Sequence, residues 1–191
     1  MKSKKPIKEC LTGKNREYMP DIGFYLMGFI MWIFDIIGNK SNKNFKTLGL
    51  KTGQIVIDYG CGPARYIKNA SKAVGDNGKV YAVDIHPIAI KKVESIIKKF
   101  KLSNVEAVLA NGYSTPIPDQ LADVIYALDM FHMIEKPVEL LKELKRLIKR
   151  DGYIIIEDGH QPRTETINKI NEAGLLEIYD ECETYIKCKP I

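Results

Sequence analysis

A chain of 191 residues with 45% hydrophobic and 28% charged content is long enough for one buried core and too short for a second full domain. Its net charge of +5, with lysines spread over the chain instead of gathered into a stripe, argues against a nucleic-acid partner. Four cysteines, Cys10, Cys61, Cys182 and Cys188, have no C-x-x-C spacing; this excludes a secreted disulfide scaffold, offers no zinc ligand set, and points to reduced thiols in a cytoplasmic protein.

The lysine-rich start (Lys2, Lys4, Lys5, Lys8) leads to Pro20-Asp21 and then to the apolar run Ile22 to Ile37, which reads as a helix with Asp21 at its N-cap. The run holds 16 residues, Asp35 and two glycines among them, whereas a spanning helix needs about 20 apolar residues. The stretch Gly38 to Lys43 is polar and basic, so no signal-peptide cleavage site is present after the run either. Trp32 lies among Phe24, Tyr25, Phe29 and Phe34, and the helix reads as apolar nearly all round. Residues 1–47 are therefore expected to form a tail and a cover helix, preferred over a core element or a surface meeting a membrane or second subunit; residues 48–191 form the main domain.

From Gln54 onward short β-rich runs alternate with amphipathic stretches, the pattern of a parallel sheet covered on both faces. Five strands are expected at Gln54–Asp58, Lys79–Asp84, Val105–Ala110, Asp123–Leu128 and Tyr153–Glu157. Pro87 opens one helix and Pro137 another; the second should run into Lys145 to Arg150, with Gly152 as its exit. A helix over Thr164–Ala173 stopped by Gly174, and a hairpin of Leu175–Cys182 with Thr184–Lys189, complete a doubly wound, mainly parallel α/β sheet of seven strands.

The first strand runs into Asp58-Tyr59-Gly60-Cys61-Gly62-Pro63-Ala64-Arg65 and then into a helix. Glycines there let a backbone approach a ligand closely. A dinucleotide fingerprint would need glycine at Arg65, and the closing hairpin differs from a nicotinamide-binding sheet. The spacing resembles the D-x-G-x-G-x-G loop of class I S-adenosylmethionine-dependent methyltransferases, with Ala64 at the third glycine position. About 20 residues on, the second strand ends in Asp84, and an acid there can take both ribose hydroxyls. The resemblance implies that Ile85 packs on the adenine, that Asn111-Gly112 after the third strand meets the adenine amino group in place of the family's usual aspartate, that Gly60, Cys61 and Gly62 form the cofactor-binding loop, and that Asp58 lies near the aminoacyl end.

Leu128-Asp129-Met130-Phe131-His132 follows the fourth strand and Asp158-Gly159-His160 the fifth. Ligands of open parallel sheets sit beyond these ends, so Leu128 is expected on the cofactor, and Asp129, His132 and His160 beside the methyl group as candidate acid–base or substrate-contacting residues; His86 is read as a structural residue. The D/N-P-P-Y/F motif of base-modifying methyltransferases is absent after the fourth strand. The segment Phe131 to Pro137 instead resembles the small-molecule branch similar to ubiquinone and menaquinone biosynthesis methyltransferases. That resemblance implies in-line methyl transfer from S-adenosylmethionine to a small, hydrophobic or aromatic acceptor, with no metal ion. The alternative is a cofactor-binding partner protein without activity, suggested by Ala64 and Asn111. Acceptor and oligomeric state are left open.

Overall fold

The computed structural model describes residue 17 and residues 19–38 and 45–191. The N-terminal lysines, Cys10 and the polar stretch after Gly38 lie outside the described residues, as do the side chains of Trp32 and Phe34.

Helix α1 (Asp21–Gly38) precedes β1 (Ile55–Tyr59), α2 (Ile67–Val74), β2 (Lys79–Asp84), α3 (Pro87–Phe100), β3 (Val105–Leu109) and β4 (Ala122–Ala127). A short 3-10 turn (Phe131–Met133), α4 (Pro137–Leu147), β5 (Ile148–Glu157), α5 (Arg163–Ala173), β6 (Leu176–Glu181) and β7 (Tyr185–Pro190) complete the order. The strands form one mixed seven-stranded sheet in the order β3-β2-β1-β4-β5-β7-β6. The first five are parallel, and β7 runs antiparallel to both β5 and β6.

Alternation along the strands splits the core in two. Ile57, Ile125, Ile154 and Ile156 pack with Leu140, Leu141 and Leu144 of α4 and Ile170 of α5. Val56, Val124, Tyr126 and Ile155 face the other way, onto Ile67, Ala70 and Val74 of α2 and Ala89 and Val93 of α3. Both faces are thus apolar, as a sheet covered by crossover helices requires.

Most ends lie within a residue of the expectation, and two helix boundary signals are corrected. Helix α4 stops at Leu147, and Ile148 is already extended (φ −79°, ψ 140°). Ile148 is buried and pairs with Ala122, so burying it in the sheet outweighs continuing the helix. Lys149 and Arg150 therefore belong to β5, and Lys149 Nζ pairs with Asp123 at 2.5 Å. Gly152 is consequently no helix exit: a Cβ there would stand 2.9 Å from the Asp123 carbonyl oxygen and 2.8 Å from Ile148 Cδ1, a close approach within the irregular β4–β5 pairing that only glycine permits. The second difference is Asp21, which is the first helical residue of α1 instead of its cap.

Helix α1 is also not uniform around its axis. Phe24 is buried against the sheet domain, whereas Ile22, Tyr25, Leu26, Phe29 and Ile30 form an exposed stripe at the spacing of one helical face. No helix among the described residues is long and apolar enough to cross a membrane.

Candidate functional site

The site is built at the C-terminal ends of β1, β2 and β4, where parallel strands leave a crevice. After β1 the chain turns through Gly60 (φ 80°) and Gly62 (φ 50°). The turn is pinned to the neighbouring strand, because Gly60 N and Cys61 N both donate to the Val83 carbonyl, at 2.8 and 3.0 Å. A Cβ at Gly60 would stand 2.9 Å from Met130 Cγ, so the two strand ends meet across a gap without room for a side chain.

Ala64 occupies the same left-handed region (φ 65°), which costs a non-glycine residue roughly 1–2 kcal/mol. Its methyl group is buried, returning roughly 0.8 kcal/mol, and alanine loses roughly 0.5–1 kcal/mol less backbone entropy than glycine on folding. These terms nearly cancel. Ala64→Gly is expected to change the unfolding free energy by less than about 0.5 kcal/mol, whereas Ala64→Val, branched in a left-handed conformation, should be clearly destabilising; urea unfolding of the two variants checks both.

At the end of β2 the Asp84 carboxylate links two elements. Oδ2 accepts from Gly62 N and Oδ1 from His86 N, each at 2.8 Å. Burial raises the Asp84 pKa, and the His86 and Gly62 N–H groups draw it back. His86 accepts from Ile88 N through Nδ1, capping α3. Its Nε2 lies 3.1 Å from the Met19 carbonyl oxygen, and its ring stacks on Phe24 at 4.4 Å. His86 is therefore a joint between α1 and the sheet, and it also lines the cleft described below.

Asp58 is buried at 2% exposure on the face of the sheet that carries Tyr126. Its Oδ2 has no hydrogen-bond partner among the described residues. Burial, opposed in part by the Tyr126 hydroxyl and reinforced by Asp84, pushes this carboxyl up to about 8. A buried carboxyl oxygen with no partner marks a place where a cationic group would be held.

These groups border one cleft that opens to solvent. Asp58, Gly60, Cys61, Gly62, Asp84, Ile85, Gly112, Leu128 and Asp129 all line it. Asn111, His132 and His160 are not among the lining residues. Asn111 is exposed and closes a tight turn with Ser114, donating to its carbonyl at 2.9 Å. His132 and His160 instead meet each other behind Asp129, rings edge to face with centroids 5.1 Å apart. Of the residues expected at the ligand, Asp129 thus borders the cleft, whereas Asn111, His132 and His160, in the turns after β3, β4 and β5, do not line it.

The sequence reading missed a methionine-rich lining. Met19, Met27 and Met31 from the N-terminal segment and Met130 and Met133 after β4 line the cleft, five of the six methionines in the chain. Their clustering is invisible along the chain, although Met27 and Met31 are spaced to share a helix face. Glu17 and Tyr113 also line the cleft and join at its edge, Tyr113 Oη donating to Glu17 Oε2 at 2.8 Å. Glu157 ends β5 close by, with burial and the neighbouring Asp129 charge pushing its carboxyl up to about 7.

Residues 50–188 match the family model described as a methyltransferase domain. Among curated proteins, the demethylmenaquinone methyltransferase of Geobacillus sp. (strain WCH70) is 26% identical over 117 residues, 61% of this chain and 50% of that protein. The ubiquinone/menaquinone biosynthesis C-methyltransferase UbiE of Cronobacter sakazakii is 28% identical over 126 residues, 65% of this chain and 50% of that protein. The chain spans about half the length of these curated relatives. Among solved structures, a SAM-dependent methyltransferase from Aquifex aeolicus superposes with a TM-score of 0.72 at 29% identity, covering 78% of this chain and 89% of that one.

Proposed function

Because the chain belongs to the methyltransferase-domain family, whose model spans most of its length, we propose that it transfers the methyl group of S-adenosylmethionine to a small, apolar or aromatic acceptor bound beneath helix α1. The observation that carries this reading is that one cleft is lined both by the carboxylates Asp58 and Asp84 and by five methionines.

S-adenosylmethionine supplies an electrophilic sulfonium methyl when bound. The acidic side fits such a molecule: Asp84, fixed by Gly62 and His86, would accept from the ribose hydroxyls, and the partnerless oxygen of Asp58 would take the amino-acid ammonium. The methionine side would hold the acceptor, since flexible, polarisable thioethers fit irregular apolar molecules. Met19, Phe24, Met27 and Met31 would exclude water from above, the cover role expected for residues 1–47. The demethylmenaquinone and ubiquinone/menaquinone names of the relatives agree with a large apolar acceptor. The alternative of a protein without activity loses its support at Ala64, which holds the loop in the conformation a glycine would take.

Incubation with S-adenosylmethionine and a panel of hydroxylated quinones and phenols should release S-adenosylhomocysteine in an acceptor-dependent manner. Binding of the nucleoside with no turnover on any apolar acceptor, but turnover on a polar one, would overturn the acceptor assignment.

Asp58 also gives the binding step a pH dependence. Its folded pKa is raised to about 8 from roughly 3.9 in the unfolded chain. The neutral form is thus the one favoured by folding. Its contribution is fully present below about 4 and is lost as pH climbs toward 8. An ammonium partner favours the ionised form, so binding releases a proton below pH 8. S-adenosylhomocysteine affinity should therefore rise between pH 6 and pH 8, by up to about tenfold per unit, and the rise should vanish in Asp58→Asn. Calorimetry across that range checks it, and a flat wild-type profile would remove Asp58 from the site.

A further inference from the structure

From the geometry of Asp129, His132 and His160 we infer a binding site for a divalent transition-metal ion of the zinc type at the margin of the cleft. The ligand atoms these three side chains can offer all lie within 4.8 Å of one another. Asp129 Oδ1 stands 4.0 Å from His132 Nδ1 and 3.9 Å from His160 Nε2. Those separations are too long for hydrogen bonds. In a tetrahedral site with bonds of about 2.1 Å, neighbouring ligand atoms stand roughly 3.4 Å apart, so the two Asp129 pairs need close by only about half an ångström, and the two imidazoles by at most about 1.4 Å. His160, 77% exposed, has the freedom to make that movement.

Two left-handed loop residues bring the three together. Asp129 adopts a left-handed backbone (φ 53°), an uncommon conformation for a residue with a side chain, and that turn places its carboxylate between the cleft and the two rings. Gly159 is also left-handed (φ 62°), and a Cβ there would collide with the His132 imidazole, so the absence of a side chain at 159 is what lets the rings come together. The same loop is held from outside. Gln161 donates to Thr166 Oγ1 at 2.8 Å and accepts from Lys169 Nζ at 2.6 Å, and Asp158 accepts from Arg163 Nε at 2.7 Å.

Two imidazoles and one carboxylate leave at least one coordination position open, the arrangement of a working site and not a closed structural one. Asp129 lines the cleft, so an ion bound to it borders the acceptor side. There it would orient an acceptor hydroxyl or thiol, a role that rests on the methyl-transfer reading; ion binding itself does not.

The test is a titration of the untagged, chelator-treated full chain with cobalt(II), monitored by its visible ligand-field absorption and by displacement with zinc(II). One equivalent is expected. His160→Ala changes an exposed rim residue and should keep the wild-type melting temperature while weakening cobalt binding at least about tenfold; Asp129→Asn should do the same. His86→Ala, at the remaining histidine, should bind as wild type does. S-adenosylhomocysteine affinity measured on the same samples separates the two claims: cobalt bound without nucleoside defeats the methyltransferase reading alone, and nucleoside bound without cobalt defeats the metal site alone. Stoichiometric binding that survives both His160→Ala and Asp129→Asn would also overturn the site.

Discussion

Replacing Asp84 with asparagine is expected to weaken S-adenosylhomocysteine binding by roughly ten- to a hundredfold, the equivalent of about 1.5–3 kcal/mol for hydrogen bonds to a charged group. Both carboxylate oxygens are already in use, one on the glycine turn and one on the start of α3. Each retains lone-pair capacity for a further donor, so the acid would grip a sugar while keeping its backbone partners. An asparagine has one accepting oxygen. Its NH2 would face either Gly62 N–H or His86 N–H, donor against donor, and the ligand would lose the ionic acceptor as well. Calorimetry on wild type and variant, with melting curves to verify folding, measures the effect. A change below about threefold would mean that the carboxylate serves only the turn and not the ligand.

The largest stability effect is expected at Phe131. This ring is completely buried, in the 3-10 turn after β4, and packs in the core beneath α4. Truncation to alanine should cost about 3–5 kcal/mol, lost burial and cavity together, a large share of the roughly 5–15 kcal/mol that holds a domain of ordinary stability. The position has a second consequence. Asp129 and Met130 line the cleft on one side of Phe131, and Met133 does so on the other, so loss of the ring should also loosen nucleoside binding in the variant that still folds. Urea unfolding with and without saturating S-adenosylhomocysteine reads both effects. A loss below about 1 kcal/mol would show that the turn is held by something other than its aromatic anchor.

How far the sequence alone carried differed by element. Strands β1 to β5 could be read from Val- and Ile-rich runs because both faces of a parallel sheet are buried and the runs are nearly continuous. Helix α3 was legible at its start, where Pro87 opens it, and it buries Ala89 and Val93. The end of α4 was misread because Lys145 to Arg150 looks like a cationic last turn. What decides it is a long-range fact, the pairing of Ile148 with Ala122. The acidic half of the cleft was visible because the glycine turn and Asp84 are local motifs at strand ends.

The methionine wall was not visible in the same way. Its members come from positions 19 to 31 and 130 to 133, and only the fold brings them to one cleft. His132 and His160 were noticed for lying after strand ends, yet direction is set by individual backbone angles. The left-handed Asp129 and Gly159 turn both rings toward each other, and no periodicity reports that.

The most direct measurement is a crystal structure of the chain with S-adenosylhomocysteine. The expected density places the ribose hydroxyls within hydrogen-bond distance of Asp84, the ammonium on Asp58 Oδ2, and the sulfur facing the space between Met130 and helix α1. A nucleoside found elsewhere, or with its sugar away from Asp84, would contradict the assignment of this cleft.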